Sequence, residues 1–261
     1  MKSIAVTLLS QKPYKYLPLF FFDKFIYFSV KKYFLFLFFI PLFSFSQTNF
    51  EKAEKLFNEG KYALAKPLFE IELKDSPNHI KTIEHLGDIS IHLNNLDKAI
   101  SYYRMLIKLK PNEASFYYKY GGALGLKSQA GGKWVAIRLI GDMKDAFEKA
   151  ISLKSNHLEA RWALIEYYLQ VPGLFGGSER KAQNYANQLM TLSPVDGYLA
   201  RGKIDEYFER FKSAEKNYLK AIQIGGSKTT YDRLTALYKV KLIQPDKAIK
   251  VFVEYQEKIK S

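Results

Sequence analysis

An all-α solenoid of about six helix-turn-helix repeats, two of them with insertions, is the fold class that the sequence predicts. Three observations predict it. Residues Ile80 to Glu113 form a 34-residue unit in which Ile83, Leu86 and Gly87 mark one apolar helix, Ala99 and Tyr103 a second, and Pro111 the end. The residue at which a second helix would pack on a first recurs along the chain as Ala65, Ala99, Met143, Ala182, Ala214 and Ala248, at spacings of 34, 44, 39, 32 and 34. Four residues beyond each, on the same helical face, stand Phe69, Tyr103, Phe147, then Ala186 as an exception, then Tyr218 and Phe252.

The offsets in Ile80 to Glu113 resemble the tetratricopeptide (TPR) pattern at Ile83, Leu86, Gly87, Ala99, Tyr103 and Pro111, with Ser90 where Tyr is usual and Leu106 where Ala is usual. The resemblance implies a binding scaffold whose ligand is set by variable residues on the face of the first helices. The segment Tyr167 to Ala182 also resembles a feature of uncharacterised exported bacterial TPR proteins, a Pro-Gly-x-x-Gly-Gly turn following a repeat with a Lys- and Gly-containing insertion.

Taken in order, the array covers 47–261, with repeats at about 47–79, 80–113, 114–157, 158–194, 195–228 and 229–261. The first is expected to have helices over Phe50–Glu59 and Ala63–Lys74, with Pro67 in the first turn of the second, where a missing N–H costs little. The third is interrupted by Lys127 to Gly141. Its Gly131-Gly132 pair breaks regularity, and Trp134, Val135, Ile137, Leu139 and Ile140 need burial, which a lengthened helix packed over one edge would supply. The fourth inserts Val171 to Glu179 before a helix that Ser178 would cap and Glu179 would favour electrostatically. In the sixth, Pro245 begins the second helix, and Lys247 to Lys260 serves as the outer cap.

The array is preceded by a leader. Lys31 and Lys32, the apolar Tyr33 to Phe43 and the small-x-small Ser44-Phe45-Ser46 have the three parts of a signal peptide over 30–46, cleaved before Gln47. Its apolar run of about 14 residues is short of the roughly 20 that span a bilayer. Residues 1–29 read as an over-extended gene model or an extra leader. These features predict a periplasmic or secreted protein, with a membrane-anchored envelope assembly factor as the alternative if the leader is retained.

Composition constrains the class further. The leader holds 15 of the 41 aromatic residues, so the aromatic excess is not a property of the array. Residues 1–46 carry six lysines and one aspartate, which leaves 34 basic and 25 acidic residues, a net +9, from Gln47 onward. Lysines alternate with acids and no block of five like charges occurs, a pattern of solvated faces and not of a nucleic-acid site. With no cysteine there is no disulfide, thiolate metal site or lipidated cysteine.

Catalysis would need a nucleophile with a base, a carboxylate pair or a metal site. Glu84, Asp88 and His92, spaced i, i+4, i+8 with His85 beside them, are the sharpest such set and define the rival reading of a metal- or anion-binding enzyme. The glycine pairs lack the phosphate-loop pattern. The expectation is therefore a non-enzymatic scaffold without cofactor or metal, which binds a protein or peptide. The resemblance implies contact residues Glu84, Asp88, His92, Tyr118, Trp162, Glu166, Lys203 and Arg233 on the concave face.

Overall fold

The computed structural model describes Thr48 to Lys260; the leader and the expected cleavage site lie outside the described residues. Among them are six pairs of α-helices: α1 (Asn49–Asn58) with α2 (Tyr62–Asp75), α3 (Ile80–His92) with α4 (Leu96–Leu109), α5 (Ala114–Ala130) with α6 (Gly132–Leu153), α7 (Leu158–Gln170) with α8 (Glu179–Leu192), α9 (Pro194–Tyr207) with α10 (Phe211–Gly225), and α11 (Lys228–Ala236) with α12 (Pro245–Lys258). Each helix packs on the next in sequence, and α1 touches α3, α5 touches α7 and α7 touches α9, so first helices of successive repeats line one face. No helix of the described residues is long and apolar enough to cross a membrane.

Local chemistry sets the boundaries. Thr48 and Glu51 form a reciprocal capping box on α1. Asn95, Ser178 and Ser193 accept hydrogen bonds from the first-turn amides of α4, α8 and α9. In four of the six repeats the turn is made by one left-handed residue at a constant register, Gly60, Asn94, Glu209 and Ile243. After the first three, the next amide reaches back five residues, from Lys61 to Leu56, Asn95 to Ser90 and Arg210 to Asp205, which satisfies carbonyls the helix end would leave free.

The six predicted packing residues, Ala65, Ala99, Met143, Ala182, Ala214 and Ala248, are all buried. So are the aromatics Phe69, Tyr103, Phe147 and Tyr218. Phe252 is not. It is 53% exposed, because the chain leaves α11 early through a π-helical turn at Leu237–Lys241, and α12 turns Ala248, Val251 and Tyr255 toward Tyr231, Leu234 and Leu237. The last helix therefore exposes Ile249, Phe252 and Val253 beside its charges.

Two further expectations change. Pro67 lies inside α2, because the helix starts at Tyr62. The first insertion is absorbed into two lengthened helices joined at Gly131-Gly132, and Gly132 has φ +74. Leu139 and Ile140 pack against the main core, but Trp134 is 81% exposed and Ile137 is also exposed. The inward side of α6 is carried by Leu139, Ile140, Met143, Ala146, Phe147 and Ala150, and Trp134 lies off it.

Candidate functional site

The face of the first helices carries the predicted contact residues, and it is cross-linked between the second and third repeats and between the fourth and fifth. Lys119 of α5 reaches between Glu84 and Asp88 of α3, with Nζ 2.7 Å from Glu84 Oε1 and 2.7 Å from Asp88 Oδ2. The Tyr103 hydroxyl donates to the same aspartate at 2.7 Å. Burial pulls the Lys119 ammonium down, but its hydrogen bonds and the charges of Asp88 and Glu84 outweigh this and leave it above the ordinary lysine range. Burial first, then the Asp88 charge, hold the Tyr103 phenol far above the usual value.

The cation between Glu84 and Asp88 is thus a lysine of the chain. His92, the third member of the proposed metal face, stacks on Tyr62 with ring centroids 4.0 Å apart. Among the described residues no three His, Asp or Glu side chains are grouped to hold a metal ion. His85 is enclosed by Phe57 and Phe69, at 4.4 and 4.9 Å between centroids, with Phe50 beyond. Its Nε2 lies 3.8 Å from Glu54, while Nδ1 is buried with no hydrogen-bond partner among the described residues. Burial pulls the imidazole below its ordinary pKa despite nearby carboxylates.

Similar links join α7 to α9. Trp162 donates from Nε1 to Asp196 Oδ1 at 2.8 Å, and Lys203 pairs with Glu166 at 3.2 Å. Trp162 is half-buried and touches both large cores, so its rings brace the array. Tyr118 is half-buried beside Phe147 and His157. Arg233 stands exposed on α11. The eight predicted residues therefore form no single cluster: Glu84 and Asp88 share Lys119, Glu166 pairs with Lys203, and the others are spread along the first helices.

Between α5 and α7 no hydrogen bond or ion pair is found among the described residues. A cavity of 440 Å³ lies there, with Gly122, Gly125, Met143, Phe147, Ala163 and Glu166 in its lining. Sequence reasoning missed it, together with Lys119 and Asp196. Its signal was present in the run Gly121-Gly122-x-x-Gly125, which removes side chains from successive turns of one helix face.

Residues 80–113 match the family model described as Tetratricopeptide repeat. A search of curated proteins gives no match. Among solved structures the chain is similar to TTC0263, a thermophilic TPR protein of Thermus thermophilus, at 17% identity and a TM-score of 0.58 over 74% of this chain and 99% of that one. It is similar to PilW, a widely conserved type IV pilus biogenesis factor, at 16% identity and a TM-score of 0.58 over 83% and 94% of the two chains. A tetratricopeptide repeat protein from Parabacteroides merdae aligns at 13% identity and a TM-score of 0.57 over 79% and 77%. Residues 80–113 are thus a tetratricopeptide repeat, and the chain has the fold of a tetratricopeptide-repeat protein.

Proposed function

We propose that the protein is a non-enzymatic interaction scaffold of the bacterial cell envelope, which holds a peptide or protein partner on the face of α3, α5, α7 and α9. The observation that carries this reading is the cross-linking of that face. Lys119 ties α3 to α5, and Trp162 and Lys203 tie α7 to α9. A surface fixed in this way is preorganised, so a ligand pays less ordering entropy on binding. The array's side chains suit recognition, because half-buried aromatics supply affinity and charges around them supply specificity. Envelope location rests on the leader: Lys31, Lys32 and Ser44-Phe45-Ser46 have the order of an export signal.

The test is capture from an envelope extract on the immobilised protein and on a variant carrying His92→Ala, Glu166→Lys and Arg233→Glu. A partner held by the wild type and released by the variant supports the reading. An identical set of proteins on both would remove this face from binding. Sequencing the mature N-terminus and extracting membranes with carbonate tests location: cleavage before Gln47 with release supports export, and retention supports the membrane-anchored factor instead.

A further inference from the structure

The two insertions that interrupt the repeat period meet at one place. The cavity between α5 and α7 is walled by Gln129, Ala136 and Ile140 of the first insertion and by Val171 and Pro172 of the second. The first supplies its wall by lengthening α5 and α6. The second does so by leaving α7 at Val171 and folding back through a short 3-10 turn, Gly173–Phe175, so that the Ser178 amide donates to the Tyr168 carbonyl at 2.9 Å. The floor is open because α5 has glycines there. A Cβ on Gly122 would meet nothing within 4 Å, and one on Gly125 would stand 3.3 Å from Met143 Sδ.

Its chemistry is specific enough to name an occupant. At 440 Å³ the space is of the size that holds a ligand group, and its floor of phenyl, thioether and aliphatic surface favours an apolar one. Met143 adapts its shape to what it touches. The Gln129 and Gln170 amides and the Ser128 hydroxyl line the same space and offer both donors and acceptors to a peptide backbone. Glu166 is the single charged residue of the lining. Its oxygens meet Lys203 at 3.2 Å and the Gln170 amide at 3.0 Å, and a carboxylate has lone pairs for a further cation. With no positive charge in the lining, an anionic occupant is disfavoured.

We infer that this cavity is a side-chain pocket for a peptide, taking one large apolar residue while Glu166 pairs with a Lys or Arg next to it in the partner. The inference rests on the scaffold reading and narrows it to one junction and one partner chemistry.

The test pans a random peptide display library on the purified full-length chain, and then measures the selected peptides on three variants, Gly122→Leu, Glu166→Gln and Arg233→Glu. Gly122→Leu fills the pocket from a position where a Cβ meets nothing within 4 Å; its fold is checked by circular dichroism and thermal melting. Selected peptides should share a large apolar residue beside Lys or Arg and should bind Gly122→Leu about tenfold more weakly or worse. Glu166→Gln should weaken them about two- to fivefold, and much less when the peptide's basic residue is changed to Ala. Peptides that bind Gly122→Leu as tightly as wild type but lose affinity with Arg233→Glu would overturn the pocket and leave the scaffold standing. No enrichment over display background would overturn both. Selected sequences without a large apolar residue would overturn the inferred chemistry. A fluorescent fatty acid that binds wild type but not Gly122→Leu, and that no peptide displaces, would replace the peptide by an acyl chain.

Discussion

Tyr103 lies against Gly87 so closely that a Cβ on the glycine would stand 2.5 Å from the ring. Its hydroxyl then reaches past the glycine to Asp88, the next residue of the same helix. The relationship recurs one repeat later, where a Cβ on Gly121 would stand 2.7 Å from Phe147. Gly202 meets Tyr218 in the same way. The glycine thus admits a whole ring between the two helices of a repeat.

Substitution at these glycines should therefore separate from substitution at glycines without a ring. An alanine in a helix interior is worth about 1 kcal/mol over glycine, whereas overpacking a filled core costs about 1–3 kcal/mol. Gly87→Ala and Gly202→Ala should lower stability to chemical denaturation by up to about 2 kcal/mol net. Gly141→Ala, where a Cβ meets nothing within 4 Å, should raise it by up to about 1 kcal/mol. Equal effects at the two kinds of site would mean that the rings yield without cost.

These pairs also show what the sequence made legible. Close helix approach needs a small residue opposite a large one, and that constraint leaves a fixed offset that can be read without coordinates. Repeat four satisfies it in reverse, with Ile165 at the glycine position and Ala186 at the aromatic one, both fully buried. Phe252 fits the offset yet is exposed, because the equivalent of Gly87 is Ala236, followed directly by a π turn that the offsets do not encode. The candidate site was less legible. Lys119 acts on residues 31 and 35 positions earlier, in another repeat, and the 440 Å³ cavity is made by what two insertions do together. A periodic pattern reports packing within a repeat far better than partners between repeats.

Lys119 gives the second prediction. Its side chain is only 26% exposed, and among the described residues it is the one ion-pair partner of Glu84 and Asp88. Lys119→Met would leave two carboxylates facing each other, partly shielded from water. Losing one partner of a buried pair costs about 3–5 kcal/mol, and partial exposure here reduces that to about 1–3 kcal/mol. Adding Glu84→Gln to Lys119→Met should recover part of the loss. Urea unfolding of the single and double variants checks this, and simple additivity would argue against coupling through the lysine.

The tyrosines predict alkaline lability. Burial, followed by neighbouring carboxylates, raises the phenols of Tyr103, Tyr168 and Tyr218, and burial with the Glu215 hydrogen bond pushes Tyr238 up to about 12 from 10.0. A raised folded pKa means that their contribution is complete below pH 10, the unfolded value. As pH climbs from 10 toward 12 the unfolded chain ionises first, so stability falls. Lys119, held above the ordinary lysine value of 10.5, acts in the same sense. The melting temperature should hold to about pH 10 and drop steeply beyond it, with several tyrosines ionising only as helicity is lost. Ionisation of every tyrosine in the folded protein near pH 10 would contradict this.

His85 predicts the acid limb. Its ring is packed by Phe57 and Phe69 and its neighbours Glu54, Asp88 and Glu84 favour the charged form, yet burial prevails and the folded pKa lies below the usual 6.5. With a lowered folded pKa the contribution is intact above pH 6.5. It is lost as pH falls from there toward the folded value, because the unfolded chain binds the proton first. Stability measured by urea unfolding should therefore decline below pH 6.5, and His85→Gln should flatten that part of the profile while lowering stability at neutral pH through lost ring packing. The imidazole resonance of His85 should titrate below that of a free histidine. If it titrates at or above 6.5, the carboxylates outweigh burial, and the histidine adds stability on acidification until they are protonated.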